Sequence, residues 1–217
     1  MDRLKLKCQP LDQLLDGGVE SQSITEIFGE AGTGKTNFCL QASRECANLG
    51  KKVAFIDSEG ISIERLKQIC EDYNFKKILS KITFLNPTSL EAQEKLIKDA
   101  EKLDDLGLIV LDTFNMFHRI KLEEDEKCAN RLLNRQITEL QLIARKVKVP
   151  VIISGQVYTA ENGEIKPFAG RGIEHMAKSI IRLDKIGLGK REAIIIKHRS
   201  IPEGKKAIFT ITQKGLE

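Results

Sequence analysis

The run Gly29-Glu30-Ala31-Gly32-Thr33-Gly34-Lys35-Thr36 sets three glycines, a lysine and a threonine at a spacing that suits a polyphosphate. Glycines let the backbone turn successive N–H groups inward, and a helix starting at the end of the loop adds the positive end of its dipole. Lys35 can then reach the β- and γ-phosphate oxygens, while the Thr36 hydroxyl can ligate Mg²⁺, with Asn37 following in the same first turn. A glycine-rich turn that binds nothing is the alternative. The flanks argue against it: the apolar run of residues 24–28 feeds the loop, and Phe38, Cys39, Ala42, Cys46 and Leu49 form a helical stripe after it, with Gly50 placed to cap the end. The pattern predicts a nucleoside triphosphate site, with ATP and Mg²⁺ as ligands.

Two carboxylates and an amide fit the same chemistry. Leu108-Ile109-Val110-Leu111-Asp112 is an apolar run closed by an acid, which would put a water-linked Mg²⁺ ligand at the end of a strand beside the phosphate loop. Glu59 comes just after the run of residues 53–57, so a parallel sheet would deliver it to the same rim. There it could orient water for in-line attack on the γ-phosphate, or it could be an acid complementing a helix dipole. Gln156 follows the run 151–154 and reaches the rim either as a γ-phosphate sensor or as a plain loop residue.

For these side chains to meet, the apolar runs must be neighbouring parallel strands. Residues 24–28, 53–57, 82–85, 108–111 and 151–154 are such runs, and helical periods separate them. One helix has Ile63, Leu66, Ile69 or Cys70, and Tyr73 facing inward. The next starts at a Thr88-x-x-Glu91 capping box and runs to about Leu103. A long one carries Ala129, Leu133, Ile137, Leu140, Ala144 and Val147, and Pro150 ends it. Past residue 178 the pattern changes to short strands at 179–183, 193–197 and 207–212 joined by tight turns. They read as antiparallel strands added to the edge of a mostly parallel sheet, and residues 1–217 read as one α/β domain.

Composition bounds the rest. The chain has 217 residues, 41% hydrophobic, with a net charge of +4, enough for a core without metal or disulfide support. Residues 185–217 hold eight Lys/Arg against three Glu, a basic segment that could face a polyanion or be a solvated sheet edge. The start has no apolar leader region, and no run reaches membrane-spanning length. The five cysteines form no C-x-x-C pair and no metal-ligand spacing with the three histidines. A reduced, cytoplasmic protein without structural zinc is expected, with Cys39 and Cys46 as core residues.

In this order the motifs resemble the RecA-type recombinase ATPases, and within them the archaeal RadB proteins. The likeness runs from Leu11-Asp12-Gln13-Leu14-Leu15-Asp16-Gly17-Gly18 through the phosphate loop, Asp57-Ser58-Glu59-Gly60, Leu111-Asp112-Thr113 and Ser154-Gly155-Gln156-Val157. It continues through Arg182-Leu183, Lys197-His198-Arg199 and Pro202-Glu203-Gly204 to Ile211-Thr212-Gln213-Lys214-Gly215. The resemblance implies a RecA-like P-loop ATPase core. It gives Lys35 and Thr36 as phosphate and Mg²⁺ groups, Asp112 as metal ligand, Glu59 as the residue acting on water, and Gln156 as the start of the second DNA-binding loop. Lys197 and Arg199 match a Lys-x-Arg pair that related hexameric ATPases insert into a neighbour's active site. Two residues apart on a strand, they would point the same way; a solvent-facing basic strand end is the alternative.

The family's preceding helix-hairpin-helix domain and Phe-x-x-Ala polymerisation motif find no match, and the first DNA-loop region, residues 115–127, is short and acidic at Glu123-Glu124-Asp125-Glu126. The resemblance therefore implies an accessory protein that binds ATP and DNA and hydrolyses ATP feebly. It would support homologous recombination and repair through a RadA-type recombinase and a Holliday-junction resolvase, with a homo-oligomer open. Candidate contacts to single-stranded or branched DNA are Arg119 and Lys121 in the first loop and Tyr158, Lys166, Phe168 and Arg171 in the second: cations for phosphates, aromatics for stacking. A nucleotide-gated adaptor with incidental hydrolysis is the competing function. A small-molecule kinase is disfavoured because its arginine-rich helical lid has no counterpart.

Overall fold

A computed structural model of the chain describes residues 3–159, 165–167 and 170–217. Along the chain come β1 (Arg3–Leu4), α1 (Gln9–Leu14), β2 (Val19–Glu20), β3 (Ile24–Phe28), α2 (Lys35–Asn48), β4 (Lys52–Asp57), α3 (Ile63–Ile69) and α4 (Phe75–Leu79). Then follow β5 (Ile82–Leu85), α5 (Leu90–Ala100), β6 (Leu106–Asp112), α6 (Met116–Glu124), α7 (Glu126–Lys146), β7 (Val151–Gly155), β8 (Val157–Thr159) and β9 (Ile165–Pro167). The chain continues with α8 (Gly170–Met176), β10 (Ser179–Lys185), β11 (Lys190–His198), β12 (Lys206–Thr212) and β13 (Gly215–Leu216).

Nine strands form one sheet in the order β13-β12-β11-β10-β3-β7-β6-β4-β5. From β10 to β5 every pairing is parallel, and β11, β12 and β13 continue antiparallel. The strand at 179–183, expected among the antiparallel additions, is therefore the junction: β10 runs parallel to β3 and antiparallel to β11.

Alternation along the strands splits the core in two, as a two-residue period requires. Val53, Phe55, Leu108 and Val110 face a layer holding α2, with Phe38, Ala42 and Cys46. Ala54, Ile56, Ile109 and Leu111 face α5, α7 and α8, with Ile97, Leu133, Ile137, Leu140 and Ile173. Every residue from Phe38 to Ala47 is buried, so α2 lacks the exposed face of a surface helix. Its polar side chains compensate with bonds. Gln41 Nε2 donates to the carbonyls of Leu6 (2.8 Å) and Leu216 (3.1 Å), and its Oε1 accepts from the Leu216 N–H (2.7 Å). Arg44 pairs with Glu45 at 2.8 Å and lies over the Tyr73 ring, 4.4 Å from its centroid.

Several local readings change. Leu49 is 61% exposed, because α2 stops at Asn48 and the stripe does not extend into the cap. Ile63 opens α3 and is exposed. The cap of α5 is Ser89, whose hydroxyl accepts from the Ala92 N–H at 3.0 Å; Glu91 then lies in the first turn, favourable to the dipole. Most of residues 115–127 is the helix α6 rather than a loop. The acidic run within it contains a cap, since the Asp125 carboxylate accepts from the Cys128 N–H at 3.0 Å and starts α7.

Glu26 stands apart on the central strand β3. It is 1% exposed, and neither carboxyl oxygen meets a hydrogen-bond partner among the described residues. Burial, reinforced by Glu174 and opposed by Lys197, raises its pKa from 4.5 to about 8. The folded state thus holds this proton far more tightly than the unfolded chain does. The associated stability is complete below pH 4.5 and is lost as pH rises through about 8. Glu26→Gln keeps the shape without the charge. Denaturant melts from pH 5 to 9 should show a declining midpoint in the parent chain and a flatter profile in the variant, with a gain on the order of 1–3 kcal/mol at the alkaline end.

Candidate functional site

The parallel strands end on one rim, and the site is built there. Between β3 and α2 the loop of residues 29–34 folds tightly onto β10. A Cβ at Gly29 would lie 2.2 Å from the Leu183 carbonyl oxygen, so only glycine permits this approach. Gly34 caps α2 at φ 104°, a backbone shape that disfavours a side chain. Within the loop the Thr33 hydroxyl donates to the Glu30 carbonyl at 2.8 Å. From outside, the Arg191 guanidinium of β11 donates twice to the Gly32 carbonyl, at 3.0 and 2.9 Å.

The loop borders a hollow of about 390 Å³, closed on its other side by Glu59, Thr113, Gln156 and Val157. Gly29, Glu30, Ala31, Gly32, Gly34, Lys35, Thr36 and Asn37 all line it; Thr33 is buried behind them. Lys35 Nζ donates to the carbonyls of Gly29 (2.7 Å) and Glu30 (2.9 Å). Burial lowers its pKa, opposed by the charges of Asp112 and Glu59. A phosphate oxygen would give this ammonium a charged acceptor in place of two neutral ones.

Asp112 ends β6, but β6 is not beside β3: β7 lies between them. The intervening strand contributes Ser154, whose hydroxyl donates to Asp112 Oδ1 at 2.5 Å and accepts from the Thr113 N–H at 2.8 Å. Asp112 is 5% exposed. Burial raises its pKa, against hydrogen bonds from Ser154 and Thr36 that lower it. A buried carboxylate touching the Thr36 hydroxyl is an oxygen-donor pair that fits Mg²⁺, which takes one or two protein ligands and completes its shell with phosphates and water. When bound there, the ion would neutralise charge on the β- and γ-phosphates.

Glu59 is held by a turn built on Asp57, the residue beside Asp112 in the sheet. Asp57 is buried and accepts the N–H groups of Glu59 (3.2 Å), Gly60 (2.9 Å) and Ile61 (2.6 Å). Gln156 meets Glu59 on the side of the hollow opposite the loop, its Nε2 donating to Glu59 Oε1 at 2.5 Å. The backbone of Gln156 is fixed by Asn115, fully buried, which accepts its N–H at 3.1 Å and donates to its carbonyl at 3.2 Å. Arg119 of α6 in turn donates to Gln156 Oε1.

The structure thus brings the loop, Lys35, Thr36, Asp112, Glu59 and Gln156 together, with Arg119 attached at the outer end. Lys121 lies two residues further along α6 and pairs with Glu124 (2.9 Å) and Glu91 (3.8 Å). Tyr158 is exposed on β8 and opposes Lys166 of β9 in a short hairpin directly after Gln156. Phe168 lies outside the described residues, as do the side chains of Lys166 and Arg171. Lys197 and Arg199 do not line the hollow. Lys197 donates to the Glu174 carbonyl, and Arg199 pairs with Glu20 at 3.0 Å. Sequence reasoning missed Ser154, Asn115, Asp57 and Arg191. Ser154 and Asp57 are small polar residues at strand ends, Asn115 directly precedes α6, and Arg191 sits 159 positions from its loop partner, so only the fold reveals the contact.

A Rad51 family model matches residues 3–217. The chain belongs to the Rad51 family. It is 43% identical to the DNA repair and recombination protein RadB of Methanococcoides burtonii, over 99% of this chain and 97% of that protein. To RadB of Thermoplasma volcanium it is 41% identical, over 100% and 92% of the two chains. Among solved structures, the crystal structure of the RadB recombinase superposes with a TM-score of 0.86 at 35% identity, covering 99% of this chain and 98% of that one. The RecA-like α/β fold of the Rad51 family is therefore the fold of this chain. No helix among the described residues is long and apolar enough to cross a membrane.

The Arg191 clamp gives a direct check on the loop. Arg191→Ala removes two bonds to Gly32 and should weaken binding of a fluorescent ATP analogue about three- to tenfold, with the melting midpoint nearly unchanged. Unaltered affinity would mean that the clamp does not shape the loop.

Proposed function

We propose that the chain is an ATP- and DNA-binding accessory protein of homologous recombination and DNA repair, with slow ATP hydrolysis. The observation that carries this reading is that Lys35, Thr36, Glu59 and Gln156 line a single hollow, with the buried Asp112 hydrogen-bonded to Thr36. Lys35, the loop N–H groups and the start of α2 hold the phosphates of ATP. Thr36 and Asp112 hold Mg²⁺. Glu59 orients the attacking water, and Gln156 senses the γ-phosphate at the head of the hairpin Val157–Thr159/Ile165–Pro167. DNA, single-stranded or branched, lies against α6 and that hairpin, with Arg119 and Tyr158 as the candidate contacts among the described residues. The RadB relatives are named for DNA repair and recombination, which supports this assignment. By the same resemblance, a RadA-type recombinase and a Holliday-junction resolvase are the expected protein partners.

A second reading, the nucleotide-gated adaptor, draws on a specific contact. Glu59 Oε1 is already engaged by Gln156, and a carboxylate so occupied orients water poorly. In that case ATP orders the rim for a partner protein and turnover is incidental.

Glu59→Gln separates the two. Turnover should fall at least about tenfold while ATP affinity holds, and repair activity of the variant in a host strain should fall with it; repair at the parental level favours the adaptor. DNA affinity should also drop steeply between about 50 and 200 mM salt, because phosphate contacts release counterions. A salt-independent affinity, read by fluorescence anisotropy on a poly-thymidine strand, would contradict a phosphate-tracking surface.

A further inference from the structure

We propose that Gln93, seated on Gln136, is a positioning residue that fixes the turn bearing Glu59 against the end of β6 and so sets the rate of hydrolysis without touching the nucleotide. The inference rests on the reading of Glu59 as the group that orients water.

The sheet does not by itself determine where Glu59 stands. β4 and β6 last pair at Asp57 and Asp112, and both chains then leave the sheet. Beyond that point the Ser58 N–H donates to the Asp112 carbonyl at 3.3 Å, a long bond that continues the ladder only weakly. Thr113, which lines the hollow, then takes φ 57°, a left-handed conformation that a β-branched residue rarely adopts. It persists only where neighbours over-determine it. Ser154 supplies two such constraints: its hydroxyl accepts the Thr113 N–H at 2.8 Å and its carbonyl accepts the Phe114 N–H at 2.9 Å.

Gln93 of α5 adds a third constraint and ties it to Ser58. Its Nε2 donates to the Phe114 carbonyl at 3.2 Å, while its Oε1 accepts the Ser58 hydroxyl at 3.3 Å. With the Ser58–Asp112 bond, these contacts close a ring that runs from Ser58 through Asp112 and Phe114 and returns through Gln93. The ring carries the β4–β6 pairing past the last strand residues, to the position directly before Glu59.

The amide of Gln93 cannot flip. Gln136 Nε2 donates to the Leu90 carbonyl at 2.7 Å, which turns Gln136 Oε1 toward Gln93 Nε2 at 2.8 Å. A reversed Gln93 would set its oxygen against two acceptors, the Phe114 carbonyl and Gln136 Oε1. Both glutamines are fully buried, where an unpaired amide is costly, so the orientation is locked. A tie between α5 and α7 is already complete in the Gln136–Leu90 bond; the reach of Gln93 to Ser58 and Phe114 serves the rim.

The test is steady-state ATP hydrolysis by the full chain, read beside hydrogen exchange of the nucleotide-free protein. Ser58→Ala opens the ring and should lower kcat about three- to tenfold, the range expected for one hydrogen bond, with KM for ATP unchanged. Ser58→Thr keeps the hydroxyl and should restore most of the rate. Gln93→Leu removes both rim contacts and should lose at least as much; should it fail to fold, the two serine variants still decide. Exchange at the amides of residues 58–61 should quicken in Ser58→Ala, and exchange within α2 should not. Beside Glu59→Gln, the serine change should cost nothing further, because the group being positioned is gone. Unchanged kcat or unchanged exchange in Ser58→Ala overturns the proposal. So does a loss that persists in full beside Glu59→Gln, since the effect would then bypass Glu59. If Glu59→Gln alone leaves turnover intact, the role assigned to Glu59 fails first, a result distinguishable from failure at Gln93.

Discussion

The parallel register of the central strands is the constraint on which everything else depends. Phe28 stands beside Gly155, Leu111 beside Ile153 and Asp57 beside Asp112. With the strands in phase, each one ends at the same height, and whatever follows it emerges on a common rim. That single alignment converts residues spread from 29 to 156 into neighbours. A slip of one residue would turn every side chain to the opposite face and would also separate Asp57 from Asp112. The two-sided apolar alternation of β4 and β6 resists such a slip, because both faces of the sheet are packed.

Much of this was legible in the sequence, for a physical reason. Buried parallel strands read as continuous apolar runs, and the phosphate loop needs glycines at fixed positions, so both announce themselves locally. The strands read at 24–28 and 151–154 and the long helix over Ala129 to Ala144 fall into this class. Features that failed to show were non-local. Nothing in residues 108–112 indicates that β7 lies between them and the loop. Nothing in residues 123–126 by themselves shows that Asp125 caps a helix. The two-residue strands β1 and β2, which pair with each other, are too short to impose a period.

In the site, residue types predicted chemistry better than they predicted support. Glycine, lysine and carboxylate at the rim were identifiable because their reactions limit the alternatives. The residues that hold them, Asp57 under Glu59, Ser154 under Asp112 and Asn115 beside Gln156, are ordinary polar side chains satisfying backbone donors and acceptors. Such roles leave no spacing in the chain, because any side chain of the right length at the right point in space would serve. Lys197 and Arg199, two residues apart, meet different partners within the chain, the first held by the α8 backbone and the second by Glu20.

The amide of Gln41 joins segments from opposite ends of the numbering, since Leu6 and Leu216 both bond to it. Its helix, α2, begins at Lys35, the same residue whose ammonium reaches into the hollow. A mechanical load applied through either flanking segment would therefore arrive at the helix that carries the phosphate loop.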